Sequence, residues 1–147
     1  MKKLSSYLTF QLGKEKFAAN IANVLHILGV PQITELPNSP AHIKGAINLR
    51  GKVLTVIDPH MKFEIESQEI TKNSCIVVLE MEYESDRLEI GALVDSVDKV
   101  IEITENELLP PPDLGTKFKS EYIENVININ DEFIMVLNIK NVFTSEY

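Results

Sequence analysis

The chain has 147 residues, of which 44% are hydrophobic and 24% charged, and this composition is typical of one folded, soluble unit. The net charge of −8 repels nucleic-acid phosphates and anionic lipid headgroups, and the single cysteine, Cys75, excludes an internal disulfide and suits a reducing cytoplasm. Because of this negative charge, we do not expect nucleic-acid binding. Because no apolar run reaches the roughly 18 residues that a membrane span needs, we do not expect direct membrane insertion either.

Short apolar stretches separated by turn residues predict a mainly β protein. In residues 7–12 the apolar side chains alternate, and the turn at Gly13 predicts a first hairpin. Residues 20–30 fit either a short helix that runs into a strand or a strand alone. The prolines between residues 31 and 40 cannot donate hydrogen bonds to a sheet, so a compact irregular segment is expected there.

A second hairpin is predicted over residues 46–57, with its turn at residues 51–52. Because successive side chains of a strand point to opposite faces, Asn48 and Arg50 share the face opposite the apolar side chains of their strand. The residue type alone favours a surface salt bridge for Arg50.

The second half of the chain repeats the β pattern and closes with a helix. Further strands are predicted over residues 75–79, 88–94, 97–103, 122–129 and 133–137, the last two being joined by a turn at residues 130–132. Prolines at 110–112 indicate an extended segment, and Asn138 is placed to cap a terminal helix. About ten short strands and few helices indicate two small barrels or sandwiches.

The sequence contains none of the common phosphate-binding, nucleophile or zinc-hydrolase motifs. Its three histidines lack the spacing of a metal site, and Cys75 lies in an apolar strand that disfavours a reactive thiol. Asp58 and Asp95 each follow a strand, where a capping or turn role is commoner than an acid–base pair. We therefore predict no catalytic residue, no cofactor and no metal.

Residues 43–53, with the sequence I-K-G-A-I-N-L-R-G-K-V, and the Val-Ile-Asp at 56–58 resemble the signature of the CheW family of chemotaxis coupling proteins. The resemblance continues in the same order and spacing through residues 33–40, 90–97 and 103–112 and into the closing strands and helix. It covers essentially the whole chain. It implies one CheW-like domain over residues 1–147, built of two intertwined five-stranded, SH3-like β-barrels with a few short helices and a C-terminal helix.

The resemblance also implies a function, that of a non-enzymatic adaptor in the cytoplasm. Such an adaptor links the cytoplasmic tips of chemoreceptors to the regulatory domain of the histidine kinase CheA, and reaches receptor arrays at the inner face of the membrane through these partners. When isolated, it is expected to be a monomer. The kinase-binding surface is expected on the apolar strands of the first barrel.

The resemblance transfers a receptor-binding role to four residues. In the family, the arginine of N-L-R-G faces the receptor in a groove between the barrels, so this role passes to Arg50, with Asn48 as a weaker candidate. Val24 matches an apolar position involved in partner contacts. His26 stands where relatives commonly carry an acid, and His60 with the preceding proline replaces a Leu-Arg pair, so a different choice of partner is expected.

Two functions from other classes remain as alternatives. One is a β-barrel module outside chemotaxis that binds a small ligand or an oligonucleotide. The low aromatic content of 7%, the lack of tryptophan and the negative charge argue against it. The other is a hydrolase, which would require a pocket with a carboxylate or histidine of strongly perturbed pKa.

Overall fold

The computed structural model describes residues 4–111 and 120–144, which form two curled β-sheets and one α-helix. The strands are β1 (Leu4–Leu12), β2 (Glu15–Asn20), β3 (Val24–Gly29), β4 (Ile43–Leu49), β5 (Lys52–Ile57), β6 (Cys75–Tyr83), β7 (Asp86–Val94), β8 (Ser96–Thr104), β9 (Leu108–Leu109), β10 (Ile123–Ile129) and β11 (Glu132–Leu137). Helix α1 (Ile139–Thr144) follows the last strand. Within these residues no helix is long and apolar enough to cross a membrane.

The six-stranded sheet has the order β8-β1-β2-β11-β10-β9, and the five-stranded sheet has the order β3-β6-β7-β5-β4. The chain enters the five-stranded sheet after β2 and leaves it after β7, so strands from both ends of the sequence build the six-stranded sheet. The predicted fold of two intertwined, SH3-like β units is confirmed. The six-stranded sheet contains one strand more than expected, the two-residue β9.

Each sheet has its own apolar cluster, and a third, larger cluster lies between the two sheets. Alternation along the strands produces this arrangement: Ile134 and Val136 of β11 pack within the six-stranded sheet, whereas Met135 and Leu137 pack into the shared cluster. We call this larger cluster the shared core. β11, which has apolar residues on both faces, therefore packs against the shared core on one face and against the cluster of its own sheet on the other.

Most of the predicted elements are present, with shifted ends. Residues 20–30 take the helix-then-strand form, because a short 3-10 helix at Ile21–Asn23 leads into β3. The proline-rich segment is irregular and meets the five-stranded sheet through one bridge between Thr34 and Ala46. The last of the three prolines predicted to be extended, Pro112, lies outside the described residues.

Candidate functional site

Arg50 lies at the tip of the β4–β5 hairpin. β4 ends at Leu49 and β5 begins at Lys52, so Arg50 and Gly51 form a two-residue turn. Their φ values are 53° and 80°, the pattern of a type I′ turn, whose twist suits a hairpin. The expected position of the turn, one residue later, was therefore wrong. Arg50 is exposed because it belongs to the turn, and not because of strand alternation.

Asn48 is exposed one residue before the end of the same strand. Its Oδ1 atom accepts a hydrogen bond of 2.9 Å from the backbone N–H of Gly51. In the register of the hairpin, Asn48 lies opposite Val53, whose side chain is 75% exposed. Ile57 is four residues further along β5, on the same face, and packs into the shared core. The shared core therefore covers this face of the hairpin at Ile57 but does not extend to Asn48 and Val53, which are exposed.

The two remaining candidates lie on β3, at the opposite edge of the five-stranded sheet. Val24 pairs with Leu79 and packs against the shared core, whereas His26 pairs with Val78, after a β-bulge. Since Leu79 and Val78 point to opposite faces of β6, the bulge places Val24 and His26 on opposite faces. Two strands, β6 and β7, separate them from the hairpin of Arg50, so the four candidates fall into two groups.

Of the two basic residues Arg50 and Lys52 on the hairpin, only Lys52 forms a salt bridge within the described residues. Lys52 forms a 3.0 Å salt bridge with Glu89 of β7, which braces the start of β5 against its neighbour. Across the residues that the structure describes, Arg50 takes part in no salt bridge. An exposed guanidinium with no carboxylate partner can form charge-assisted hydrogen bonds with another molecule.

A second cluster, centred on His60, was not anticipated from the sequence. Asp58 caps the 3-10 helix Pro59–Phe63, and the His60 side chain in that helix is 2% exposed. The Nδ1 atom of His60 bonds with Asp58, and its Nε2 atom lies 3.0 Å from both carboxylate oxygens of Asp95. We call these three residues the His60 cluster. Asp58 has the predicted capping role, and it also faces Asp95 across the imidazole.

Hydrogen bonds set the protonation of the His60 cluster. Burial lowers the pKa of His60, but the hydrogen bonds and charges of Asp58 and Asp95 outweigh this effect and raise its pKa above 6.5. Burial likewise raises the pKa of Asp58, and hydrogen bonds from His60 and Ser67 more than reverse this and lower its pKa below 3.8. Only a charged imidazole can donate from both nitrogens at once, so the geometry favours the imidazolium.

The His60 cluster joins the two sheets. Asp95 Oδ2 accepts a 2.6 Å hydrogen bond from the N–H of Gly13, in the β1–β2 turn of the six-stranded sheet. His60 approaches the same carboxylate from the segment after β5 of the five-stranded sheet. Phe63 anchors that segment in the shared core, with its ring 4.8 Å from Phe17 and 5.7 Å from Tyr122. With both imidazole nitrogens occupied and the ring buried, the geometry fits a structural tie better than an acid–base site.

The sequence of the chain is similar to that of known proteins along most of its length. Residues 6–147 match the family model of the CheW-like domain. The chain is 30% identical to the chemotaxis protein CheW of Rhizobium meliloti over 95% of its own length and 87% of the relative. It is 29% identical to CheW of Klebsiella aerogenes over 95% of its length and 82% of the relative.

A solved structure agrees with these relatives. The scaffolding protein TtCheW of Thermoanaerobacter tengcongensis superposes with a TM-score of 0.86 at 30% identity, over 98% of this chain and 95% of that one. The chain therefore belongs to the CheW-like family. It is a scaffold or adaptor protein of chemotaxis, and a ligand-binding barrel outside chemotaxis is not favoured.

Proposed function

We propose that this protein couples the cytoplasmic tips of chemoreceptors to the regulatory domain of the histidine kinase CheA. The observation that carries the proposal is the match of fold and sequence to a scaffolding protein over 98% of the chain. In this proposal residues 1–147 act as one CheW-like domain with two subdomains, a monomer when isolated and located in the cytoplasm.

Receptor binding is assigned to Arg50, Asn48, Val24 and His26. The guanidinium of Arg50, which is exposed and forms no salt bridge with the described residues, supports its role as the main contact. Val53, on the same hairpin, adds apolar surface beside it. Arginine is among the residue types that most often dominate the binding energy at protein interfaces.

Kinase binding is assigned to the apolar strands of the six-stranded sheet, which contains β1. Val100 and Phe133 on that sheet are 52% and 62% exposed, which supports an interface there. Because Arg50 belongs to the other sheet, receptor and kinase can be bound simultaneously, as a coupling protein requires.

The protein is proposed to act without catalysis. His60 and Asp58, whose pKa values are shifted, lie in the His60 cluster, where they bind one another and not a substrate. The isolated chain should neither hydrolyse ATP nor transfer phosphate.

Reconstitution tests this function. Autophosphorylation of the cognate kinase is measured alone, with receptor, with this protein, and with both. We expect a changed rate only when both are present. An unchanged rate with all cognate partners present, or ATP turnover by the isolated chain, contradicts the proposal.

A further inference from the structure

The hairpin that carries Arg50 contains a backbone conformation that its tip residue does not favour. Arg50 has a φ of 53°, in the left-handed region that glycine, asparagine and aspartate enter more readily than arginine. Gly51 is suited to its own φ of 80°. The sequence therefore places arginine at a turn position that requires a positive φ, and the turn gains from additional support.

That support comes from Asn48. Its Oδ1 atom accepts the N–H of Gly51 at 2.9 Å, so the side chain closes the turn from the strand that precedes it. Side-chain oxygens of asparagine stabilise turns in this way by accepting a hydrogen bond from a nearby backbone N–H. If this bond is absent, Arg50 and Gly51 can relax toward the other regions of φ, and the base of the Arg50 side chain loses its fixed position.

The hairpin of the other sheet provides a comparison within the same molecule. β10 and β11 are joined by Asn130 and Asp131, which also have positive φ values, of 50° and 63°. Asn128 occupies the position equivalent to Asn48 and is also exposed. Within the described residues its side chain forms no hydrogen bond to the turn, and the turn residues there are of types that favour positive φ. Of these two hairpins, the one with arginine in its turn is therefore the one in which the preceding asparagine bonds to the turn.

We propose that Asn48 is a positioning residue for receptor binding, which holds the Arg50–Gly51 turn so that the Arg50 guanidinium is presented to the receptor. This inference rests on the proposed function and specifies it further: Asn48 acts through Arg50 and contributes little contact of its own. Fixing a long side chain's base before docking reduces the ordering that binding requires, and therefore strengthens binding.

A double-mutant cycle tests the proposal on the full chain. Affinity for a soluble cytoplasmic fragment of the cognate receptor is measured by calorimetry for the wild type, Asn48→Ala, Arg50→Ala and the double variant. Asn48→Ala should weaken binding about fivefold, in line with the loss of one hydrogen bond. In the Arg50→Ala background, Asn48→Ala should cause no further loss, because the group that it positions is gone.

Two additional variants separate positioning from direct contact and from misfolding. Asn48→Asp retains the acceptor oxygen, so it should preserve slow exchange of the Gly51 amide hydrogen, which Asn48→Ala should accelerate. Asn128→Ala is the matched control and should leave both affinity and Gly51 exchange unchanged. Thermal melting identifies any variant that fails to fold.

The outcomes are distinguishable. If Arg50→Ala does not weaken receptor binding, the proposed role of Arg50 fails, and this inference fails with it. If Arg50→Ala weakens binding but Asn48→Ala does not, only the inference is overturned. Equal losses from Asn48→Ala in both backgrounds also overturn it, because they show that Asn48 contacts the receptor directly.

Discussion

The Nε2 atom of His60 lies 3.0 Å from both carboxylate oxygens of Asp95, and through this contact the segment after β5 is joined to the corner between β7 and β8. Asp95 simultaneously accepts the N–H of Gly13 from the six-stranded sheet. One carboxylate thus connects both sheets, and the protonation of His60 contributes to holding them together.

The free energy of unfolding should fall as the pH rises above about 6.5. The pKa of His60 is raised in the folded protein, so the folded state binds the proton more tightly than the unfolded state. This stabilisation is complete below the unfolded-state pKa near 6.5 and is lost as the pH rises through the folded-state pKa. Urea unfolding of the wild type and His60→Gln from about pH 5 to about pH 9 checks the effect. Identical pH dependence in the two proteins contradicts it.

Asp58 acts in the opposite direction, at low pH. Its pKa is lowered in the folded protein, so its stabilisation is present above the unfolded value of 3.8 and is lost as the pH falls through the folded-state pKa. The His60 cluster therefore contributes most between these two limits.

Removal of the His60 side chain should destabilise the protein strongly. His60→Ala leaves the buried Asp58 carboxylate and the partly buried Asp95 carboxylate facing each other without a cation, at a cost on the order of 3 kcal/mol. His26→Ala is the matched control, since this half-exposed histidine should cost less than about 1 kcal/mol. Denaturant titrations measure both, and losses of equal size would count against a special role for His60.

Gly45→Ala should destabilise the contact between the irregular segment and β4. Gly45 has a φ of 153°, and an added Cβ would lie 2.3 Å from the backbone oxygen of Thr34, which accepts the N–H of Ala46. The expected loss is on the order of 3 kcal/mol. At Gly29 an added Cβ meets nothing within 4 Å, so Gly29→Ala should be tolerated. Equal melting temperatures for the two variants would contradict the close packing of Thr34 against Gly45.

His26→Glu tests the departure of this chain from its relatives. His26 is half-buried on the edge strand β3, so folding should survive the change. Binding to the cognate receptor should weaken, or binding to the receptor of a relative should improve, because an introduced acid selects for a base on the partner. Calorimetry with both receptors measures the effect, and unchanged affinities for both would place His26 outside the interface.

Much of the fold could be predicted because alternation and turn residues are local signals. The strands around Asn130 and Asp131 follow directly from an apolar pattern on either side of residues that favour positive φ. The predicted position of the β4–β5 turn was wrong by one residue, because arginine seldom occupies a position with a positive φ. The hydrogen bond from Asn48 that supports this turn is visible only in three dimensions.

The candidate site was less accessible to sequence reasoning. The sequence drew attention to Asp58 and Asp95 and to the unusual Pro59–His60 pair. It did not predict that His60 and Asp95, 35 positions apart, are in contact. The opposite orientation of Val24 and His26 likewise depends on a β-bulge, and an alternating pattern alone does not reveal one.

The central claim is that Arg50 contacts the receptor. Its most direct test is to measure receptor-dependent activation of the kinase in the presence of the Arg50→Ala variant. Arg87→Ala is the matched control, since Arg87 is also exposed but lies 3.5 Å from Glu80 in a salt bridge. Arg50→Ala should weaken coupling at least about tenfold in apparent affinity, while binding to the kinase regulatory domain persists and the melting temperature shifts by only a few degrees. Full coupling by Arg50→Ala, or unfolding caused by this substitution, would contradict the assignment of Arg50 as the receptor contact.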